Sequence, residues 1–263
     1  VVGCQNADLP LALARQTDLL VHVWTLDEKV AAAIMREVET AGLPAGRVVA
    51  EQGGLTRLPY ADHLVDVLVA MDLAVGQEGR LAPEEAFRVV RPNGLVILKG
   101  AGLAADHLKR WADQALSKRT VPGAAADAWV VLTKPPLEGV DDWSHWEHSP
   151  DNNPVSLDSV IRAPYMTQWM GVPYYITMPA ITTAAGGRVF LAMGHIAHHA
   201  REEQWLNTLV ARRGHNGAIL WTRKLPDGYL AHRSAFVAKA DDFFMIDPIE
   251  GGCLVLDPEM GRL

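Results

Sequence analysis

The chain has 263 residues, enough for one large domain or two ordinary ones. Its composition, 49% hydrophobic and 21% charged, is typical of a globular protein with a full apolar core. The net charge of -7, without a clustered Lys/Arg stripe, argues against a nucleic-acid partner. Two cysteines, Cys4 and Cys253, cannot build a disulfide framework, and no apolar run reaches the about 18 residues of a membrane span.

The first half of the sequence alternates short apolar runs with helical patterns, as in βαβ units around a parallel sheet. The predicted strands cover 19–24, 47–50, 64–70, 95–99 and 128–133, and the predicted helices cover 27–41, 83–90 and 104–116. The helix over 83–90 is stopped by the Arg91-Pro92-Asn93-Gly94 turn. We therefore predict an α/β domain over residues 1–134.

The character of the sequence changes after Lys134-Pro135-Pro136. Residues 135–175 are predicted to be a junction segment, because they are polar, aromatic and rich in turn residues. From residue 176 to 263 the segments are short, rich in β-branched and aromatic residues, and punctuated by glycine pairs, which favours an all-β domain.

An internal repeat lies in this second half. Residues 209–217 align without gaps to residues 253–261, so that 44 residues separate Gly217 from Gly261. This spacing is that of a four-stranded propeller blade of about 40–50 residues. Two ordinary hairpins in another kind of β-domain are the alternative.

Two stretches of the first half resemble class I SAM-dependent methyltransferases. Residues 84–98 (EEAFRVVRPNGLVIL) are similar to that family's helix, glycine turn and fifth strand, and residues 55–62 are similar to its segment between the third and fourth strands. The resemblance covers about half of the chain and implies a Rossmann-like sheet with S-adenosylmethionine as cofactor. The residues that it places at the cofactor are Gly3, Cys4, Gln5, Asn6, Thr25, Asp27, Gly54 and Leu55, and it places Asp72 at the transfer site.

The departures from the family pattern fall on these ligand positions. Val1 stands in place of the family's first acidic residue, and Gln5 and Ala7 stand in place of two glycines. Thr25 replaces the acid that binds the ribose, and Gly54 replaces the acid after the third strand. A hydrogen bond to a charged group contributes about 1.5–3 kcal/mol, so the missing ribose carboxylate alone lowers affinity about tenfold to a hundredfold. The pattern therefore indicates a degenerate cofactor site.

The second half resembles a PQQ-type, or quinoprotein-like, β-propeller. Ala211, Asn216, Gly217 and Trp221 follow that family's repeat phrase, in which a turn leads into a strand whose Trp docks a neighbouring blade. The resemblance implies about two blades and a binding face for a small molecule or a protein, and bound PQQ is not expected. The combination is similar to large multidomain bacterial proteins of the planctomycete kind.

Two histidine-containing segments are candidate binding sites. The metal candidates His145, His148 and Asp151 lie in a polar segment, for which a solvated or packing loop is the alternative. A second cluster, His195, His198 and His199, lies in a loop that lengthens the first blade. A surface loop without a ligand is its alternative.

Three functions stay open from the sequence. The leading one is a degenerate methyltransferase-like domain joined to a propeller that serves as a binding scaffold, followed by an active methyltransferase of unknown acceptor and a quinone-linked oxidoreductase. Because the chain starts without Met inside an apparent strand, we expect a fragment of a longer protein. Its compartment is left open, since a methyltransferase favours the cytoplasm and a quinoprotein favours export.

Overall fold

In the computed structural model the chain divides into two compact units, Val1–Pro136 (unit 1) and Leu137–Leu263 (unit 2). The structure describes residues 1–71, 81–99, 105–121, 129–171, 179–194, 196–197, 199–226, 229, 236–247 and 249–263. Within these ranges no helix is long and apolar enough to cross a lipid bilayer. Each unit is considered by itself.

Unit 1 consists of helices and strands in alternation. Its helices are α1 (Asp8–Gln16), α2 (Glu28–Thr40), α3 (Pro83–Val89) and α4 (Ala105–Asp113). Its strands are β1 (Val21–Thr25), β2 (Val48–Gln52), β3 (Val65–Ala70), β4 (Val90–Lys99), β5 (Ser117–Val121) and β6 (Trp129–Thr133). The predicted strands and helices of the first half are confirmed, but the predicted turn at 91–94 lies within β4, where the pairing with β3 is irregular. Strand β5 and the bounds of α1 were not predicted.

The strand order of unit 1 is that of a Rossmann-like, doubly wound sheet. A short stretch around Val2 forms parallel bridges to Trp24 of β1 and to Ala70 of β3, which gives the order β2, β1, Val2 segment, β3, β4, β6, β5. Strand β1 pairs in parallel with β2 and β3 pairs in parallel with β4, whereas β6 pairs antiparallel with both β4 and β5. The chain therefore winds outward in both directions from the Val2 segment.

Apolar side chains cover both faces of this sheet, as expected for parallel strands. One cluster joins Val21 and Val23 of β1 to Ile34 of α2. The other joins Leu68 of β3 and Leu98 of β4 to residues of α3, α4 and the loop after β2. Alternate residues of each strand thus enter a core, those of β1 and β2 in one cluster and those of β3, β4 and β6 in the other, and this favours one register of the sheet.

The described residues of unit 2 form two antiparallel sheets. The first sheet has four strands in chain order, β7 (Pro179–Ala185), β8 (Arg188–Met193), β9 (Thr208–Arg213) and β10 (Ile219–Lys224). The second sheet has three among the described residues, β11 (Phe236–Ala238), β12 (Phe243–Ile246) and β13 (Cys253–Leu256). Both sheets contribute to one apolar cluster that includes Phe190, Leu209, Phe236 and Phe243.

The internal repeat has the same structure in both copies. The strands β9 and β13 each lead into a turn that ends on a glycine with positive φ, +71° at Gly217 and +68° at Gly261. In both turns the glycine N–H donates to a carbonyl four residues earlier, of Arg213 and of Asp257 respectively, at 2.8 Å. The aligned residues are therefore equivalent in three dimensions.

Candidate functional site

The candidate site of unit 1 is the carboxyl-terminal edge of the sheet beside the Val2 segment. In open α/β sheets the strand order reverses at such a point, and ligands bind in the crevice there. Gly3 follows Val2 with φ +74°, and a Cβ on it would lie 2.4 Å from the carbonyl oxygen of Met71. Glycine is required at this position because the turn is left-handed and the backbone after β3 is close.

The residues of this turn after Gly3 carry side chains, so a ligand cannot approach their backbone as closely as it could approach glycines. Gln5 and Asn6 are exposed, and the Asn6 side-chain oxygen accepts a hydrogen bond from the Asp8 N–H at 3.2 Å, at the start of α1. Cys4 is buried, and its thiol donates to the Asn6 carbonyl at 2.9 Å. Asn6 therefore helps to begin α1, and Cys4 belongs to the core.

Thr25 and Asp27, which stand near the expected ribose acid, are both engaged within the fold. Thr25 is buried, its hydroxyl lies 3.4 Å from the Asp27 N–H, and its carbonyl accepts from the Gly53 N–H at 2.8 Å. The Asp27 carboxylate caps α2 by accepting from the Lys29 N–H at 2.8 Å. Asp27 before a helix is a recognisable N-cap signal in the sequence, so this role was predictable from it.

The indole of Trp24 lies across the ends of β1 and β2. A Cβ on Gly53, the residue directly after β2, would lie 2.0 Å from the Trp24 ring, and the ring Nε1 donates to the Gly54 carbonyl at 3.0 Å. Leu55, which follows, is buried in the core. The predicted cofactor residues Gly54 and Leu55 therefore anchor a tryptophan that the sequence analysis did not select.

A hydrogen-bonded chain of three side chains lies next to this indole. The Tyr60 hydroxyl is 2.8 Å from Nδ1 of His22, and Nε2 of His22 is 3.0 Å from a carboxylate oxygen of Glu51. Burial, together with the Glu51 charge, raises the pKa of Tyr60 to about 12, so the phenol is protonated and donates to His22. Burial lowers the pKa of His22, which favours the neutral ring that accepts this bond.

The two stretches that resemble methyltransferases are joined by an ion-pair cluster. Arg88 of α3 forms a two-pronged contact with Glu85, at 2.8 and 2.6 Å, and also binds the Asp62 carboxylate at 2.7 Å. The Tyr60 carbonyl accepts from the same guanidinium at 2.8 Å. Hydrogen bonds from Arg88 hold the pKa of Glu85 below its ordinary value, with a further contribution from the Leu58 N–H. These residues hold α3 against the loop that follows β2.

An open groove of about 470 Å³ lies between α2 and the edge strand β2. Its lining includes Glu28, Met35, Ala50 and Glu51. Two carboxylates and an apolar floor make this groove a poor match for an anionic ligand.

The remaining predicted site residues do not form a metal site in the part of the chain that is described. Asp72, His195 and His198 lie outside the described residues. His148 is buried and its Nε2 is 2.7 Å from the Asp141 carboxylate. Hydrogen bonds from the Leu157 N–H and from His148 lower the pKa of Asp141.

The other members of the two histidine segments have separate partners. His145 Nδ1 lies 2.8 Å from the Ser144 hydroxyl, and the Asp151 carboxylate accepts from the Ser149 hydroxyl and the Asn153 N–H. His199 caps the 3₁₀ helix Ala200–Trp205 together with Glu202. No group of three metal-ligating side chains occurs among the described residues.

Comparisons with known proteins give structural likeness without a family. No family model matches the sequence, and no curated protein matches it. A candidate S-adenosyl-L-methionine-dependent methyltransferase from Methanococcus maripaludis is 16% identical over 53% of this chain and 78% of its own, with a TM-score of 0.45. A SAM-dependent methyltransferase from Aquifex aeolicus is 18% identical over 51% of this chain and 79% of its own, with a TM-score of 0.41.

The [4+2]-cyclase SpnF is similar to the same degree, at 18% identity over 52% of this chain and 73% of its own, with a TM-score of 0.42. At these values the likeness is no evidence of function, and one fold supports several chemistries. The site is therefore interpreted from its own geometry.

Proposed function

We propose that unit 1 is a methyltransferase-like domain that no longer binds S-adenosylmethionine and acts as a scaffold. The observation that carries this proposal is the Trp24 indole, which rests on Gly53 and hydrogen-bonds to the Gly54 carbonyl. Adenosine bound at the carboxyl ends of β1 and β2 would need the space that this ring occupies. A bound nucleotide would have to displace a half-buried tryptophan and break its hydrogen bond.

The polar groups of the edge support the same conclusion. The two residues near the expected ribose position are engaged within the fold, because Thr25 is buried and Asp27 caps α2. The first turn keeps one of the glycines that a close approach to the ligand requires, and Gln5 and Asn6 place side chains there instead. The side chains that fill the edge and the missing ribose carboxylate therefore both weaken binding of S-adenosylmethionine.

For unit 2 we propose the beginning of a PQQ-like β-propeller that presents a binding face to a small molecule or a protein. Four-stranded antiparallel sheets are the units of propellers, and the first sheet of unit 2 has this form. The structural equivalence of the turns at Gly217 and Gly261 supports a repeat of such sheets. Bound PQQ is not part of the proposal, because the resemblance covers no quinone-binding residue.

Isothermal titration calorimetry of the whole chain with S-adenosylmethionine and S-adenosylhomocysteine tests the proposal. We expect no saturable heat up to about 1 mM ligand, which corresponds to a binding free energy weaker than about -4 kcal/mol. Cooperative thermal unfolding of the same sample, and an active methyltransferase titrated in parallel, serve as controls. A dissociation constant of about 100 μM or lower would favour the active methyltransferase and overturn the scaffold proposal.

A further inference from the structure

The groove between α2 and β2 is lined by residues that favour a positively charged organic ligand. Its volume of about 470 Å³ lies within the range of small-molecule sites. The lining residues belong to one stretch of unit 1, between Trp24 and Gln52, and none of them was selected from the sequence. The groove is therefore a candidate site in addition to the edge beside the Val2 segment.

One wall of the groove is a single face of α2. Ala31, Ala32 and Met35 follow Glu28 at helical spacings of three, four and seven residues, so the four side chains lie in one row. Glu28 and Ala32 are exposed, whereas Ala31 is buried. The two alanines thus form an apolar floor, and the Glu28 carboxylate stands at one end of it.

The other wall is the end of β2. The Ala50 N–H donates to Sδ of Met35 at 3.2 Å, which joins the two walls. Ala50 belongs to the apolar cluster that includes Ile34 of α2, whereas Glu51, the next residue of the strand, points to the opposite face of the sheet. The two carboxylates of the groove, Glu28 and Glu51, therefore approach it from opposite faces of the sheet.

Glu51 is positioned by its neighbours on β1. It lies opposite Trp24 in the strand pairing, and its carboxylate is 3.0 Å from Nε2 of His22. Because burial lowers the pKa of His22, the ring is neutral at neutral pH and leaves the charge of Glu51 in place. A negative charge is thus held beside the Trp24 indole, which also lines the groove.

Neither carboxylate of the groove has a cationic partner within the protein. In the part of unit 1 that the structure describes, no Lys or Arg forms an ion pair with Glu28 or Glu51. Those residues also include no group of three side chains that could hold a metal ion. The complementary ligand is therefore an organic cation rather than a metal.

We propose that this groove binds a linear alkyl diamine in its doubly protonated form. One ammonium pairs with Glu28, the other pairs with Glu51 and lies against the Trp24 indole, and the methylene chain crosses the apolar floor. An ammonium over an indole gains a cation–π interaction, and the chain gains from leaving water. Two carboxylates on opposite faces of the sheet match a charge at each end of the ligand better than a single charge.

Diamine binding and S-adenosylmethionine binding can fail independently of each other. The diamine is titrated without a nucleotide, and the two carboxylates that recognise it lie outside the positions that the methyltransferase resemblance assigns to the cofactor. The net charge of -7 favours the approach of a dication, and this attraction weakens as salt is added. Titrations are therefore made at low ionic strength.

A ¹H–¹⁵N NMR titration of the whole chain with 1,4-diaminobutane tests the proposal. We expect saturable shifts of amides in α2 and β2, with a dissociation constant of about 1 mM or lower. Glu28→Gln and Glu51→Gln each weaken binding about twofold to fivefold, as expected for exposed ion pairs, and the double variant loses about tenfold. Glu39→Gln is the matched control, because Glu39 is exposed on the same helix and does not line the groove. Absence of saturable shifts, or unchanged affinity of the folded double variant, would overturn the proposal.

A second titration tests the need for two charges and for an open groove. We expect 1-butylamine, which has the same chain and one charge, to bind about twofold to fivefold more weakly than the diamine. Ala32→Arg places a cation of the protein in the groove and is expected to abolish binding, whereas Thr40→Arg, on the same helix outside the groove, preserves it. Circular dichroism verifies that each variant is folded. Equal affinity for 1-butylamine, or full binding by folded Ala32→Arg, would contradict the assignment of a dication to this groove.

Discussion

At the scale of single residues, Lys134 is the most unusual group of unit 1, because its ammonium is buried at the end of α3. It donates to the Val90 carbonyl at 2.6 Å, to the Phe87 carbonyl, and to Nδ1 of His63 at 2.6 Å. No carboxylate is among these partners. Burial lowers the pKa of Lys134 to about 8, from an ordinary value of 10.5.

This pKa predicts a specific dependence of stability on pH. The folded state releases the Lys134 proton near pH 8, whereas the unfolded chain keeps it until about 10.5, so the unfolded state binds more protons between these values. The contribution of Lys134 to the unfolding free energy therefore rises with pH over this window.

Urea unfolding of the unsubstituted chain and of Lys134→Met checks this prediction. Lys134→Met leaves buried carbonyls without a donor and is expected to cost about 1–3 kcal/mol at neutral pH. The difference between the two proteins grows from pH 8 to 10.5. Lys118→Met, at an exposed lysine, is measured in parallel as the control for removing a lysine side chain. A constant or shrinking difference for Lys134→Met would refute the predicted titration.

At the scale of elements, Arg88 joins α3 to the loop between β2 and β3. A lysine at this position keeps the charge but cannot form the two-pronged contact with Glu85 or bind the carbonyls at the same time. We expect Arg88→Lys to cost about 1–3 kcal/mol, because the charge is kept but buried acceptors lose their hydrogen bonds. Arg57, which is 70% exposed and 3.7 Å from the same Glu85, provides the matched control. An equal loss for Arg57→Lys and Arg88→Lys in chemical denaturation would contradict this account.

The contact between β10 and the turn after β13 allows a test with two glycines. Gly261 and Gly251 have similar φ, +68° and +74°, so alanine is strained at both by about 1 kcal/mol. A Cβ at 251 meets nothing within 4 Å, whereas one at 261 collides with the Trp221 indole. Gly261→Ala is therefore expected to lose about 1–3 kcal/mol more than Gly251→Ala. Equal melting temperatures would show that the indole does not dock there.

At the scale of the whole molecule, the frame of unit 1 could be predicted because its strands are continuous apolar runs between helical patterns. Strand β5 was missed since Ser-Lys-Arg-Thr-Val is polar and follows a helix without a break. The bounds of helix α1 were not predicted because its side-chain pattern covers only nine residues, Asp8–Gln16. These failures concern elements whose structure depends on tertiary neighbours.

Less of the candidate site than of the strands and helices of unit 1 could be predicted from the sequence. The sequence shows that carboxylates are missing at the ligand positions, and the N-cap position of Asp27 could also have been recognised. The position of the Trp24 ring depends on the register that places β1 beside β2, with Trp24 opposite Glu51 and Thr25 opposite Gln52, the residue before Gly53. No local sequence pattern specifies how β1 pairs with β2, so the position of the Trp24 indole over Gly53 could be seen only in the folded structure.

The most direct test of the central claim is a crystal structure of the whole chain soaked with S-adenosylmethionine. The account predicts no ordered nucleotide at the edge beside Asn6 and Asp27, with the Trp24 indole still resting on Gly53 and bonded to the Gly54 carbonyl. Ordered adenosine at this edge, with the indole displaced, would contradict it.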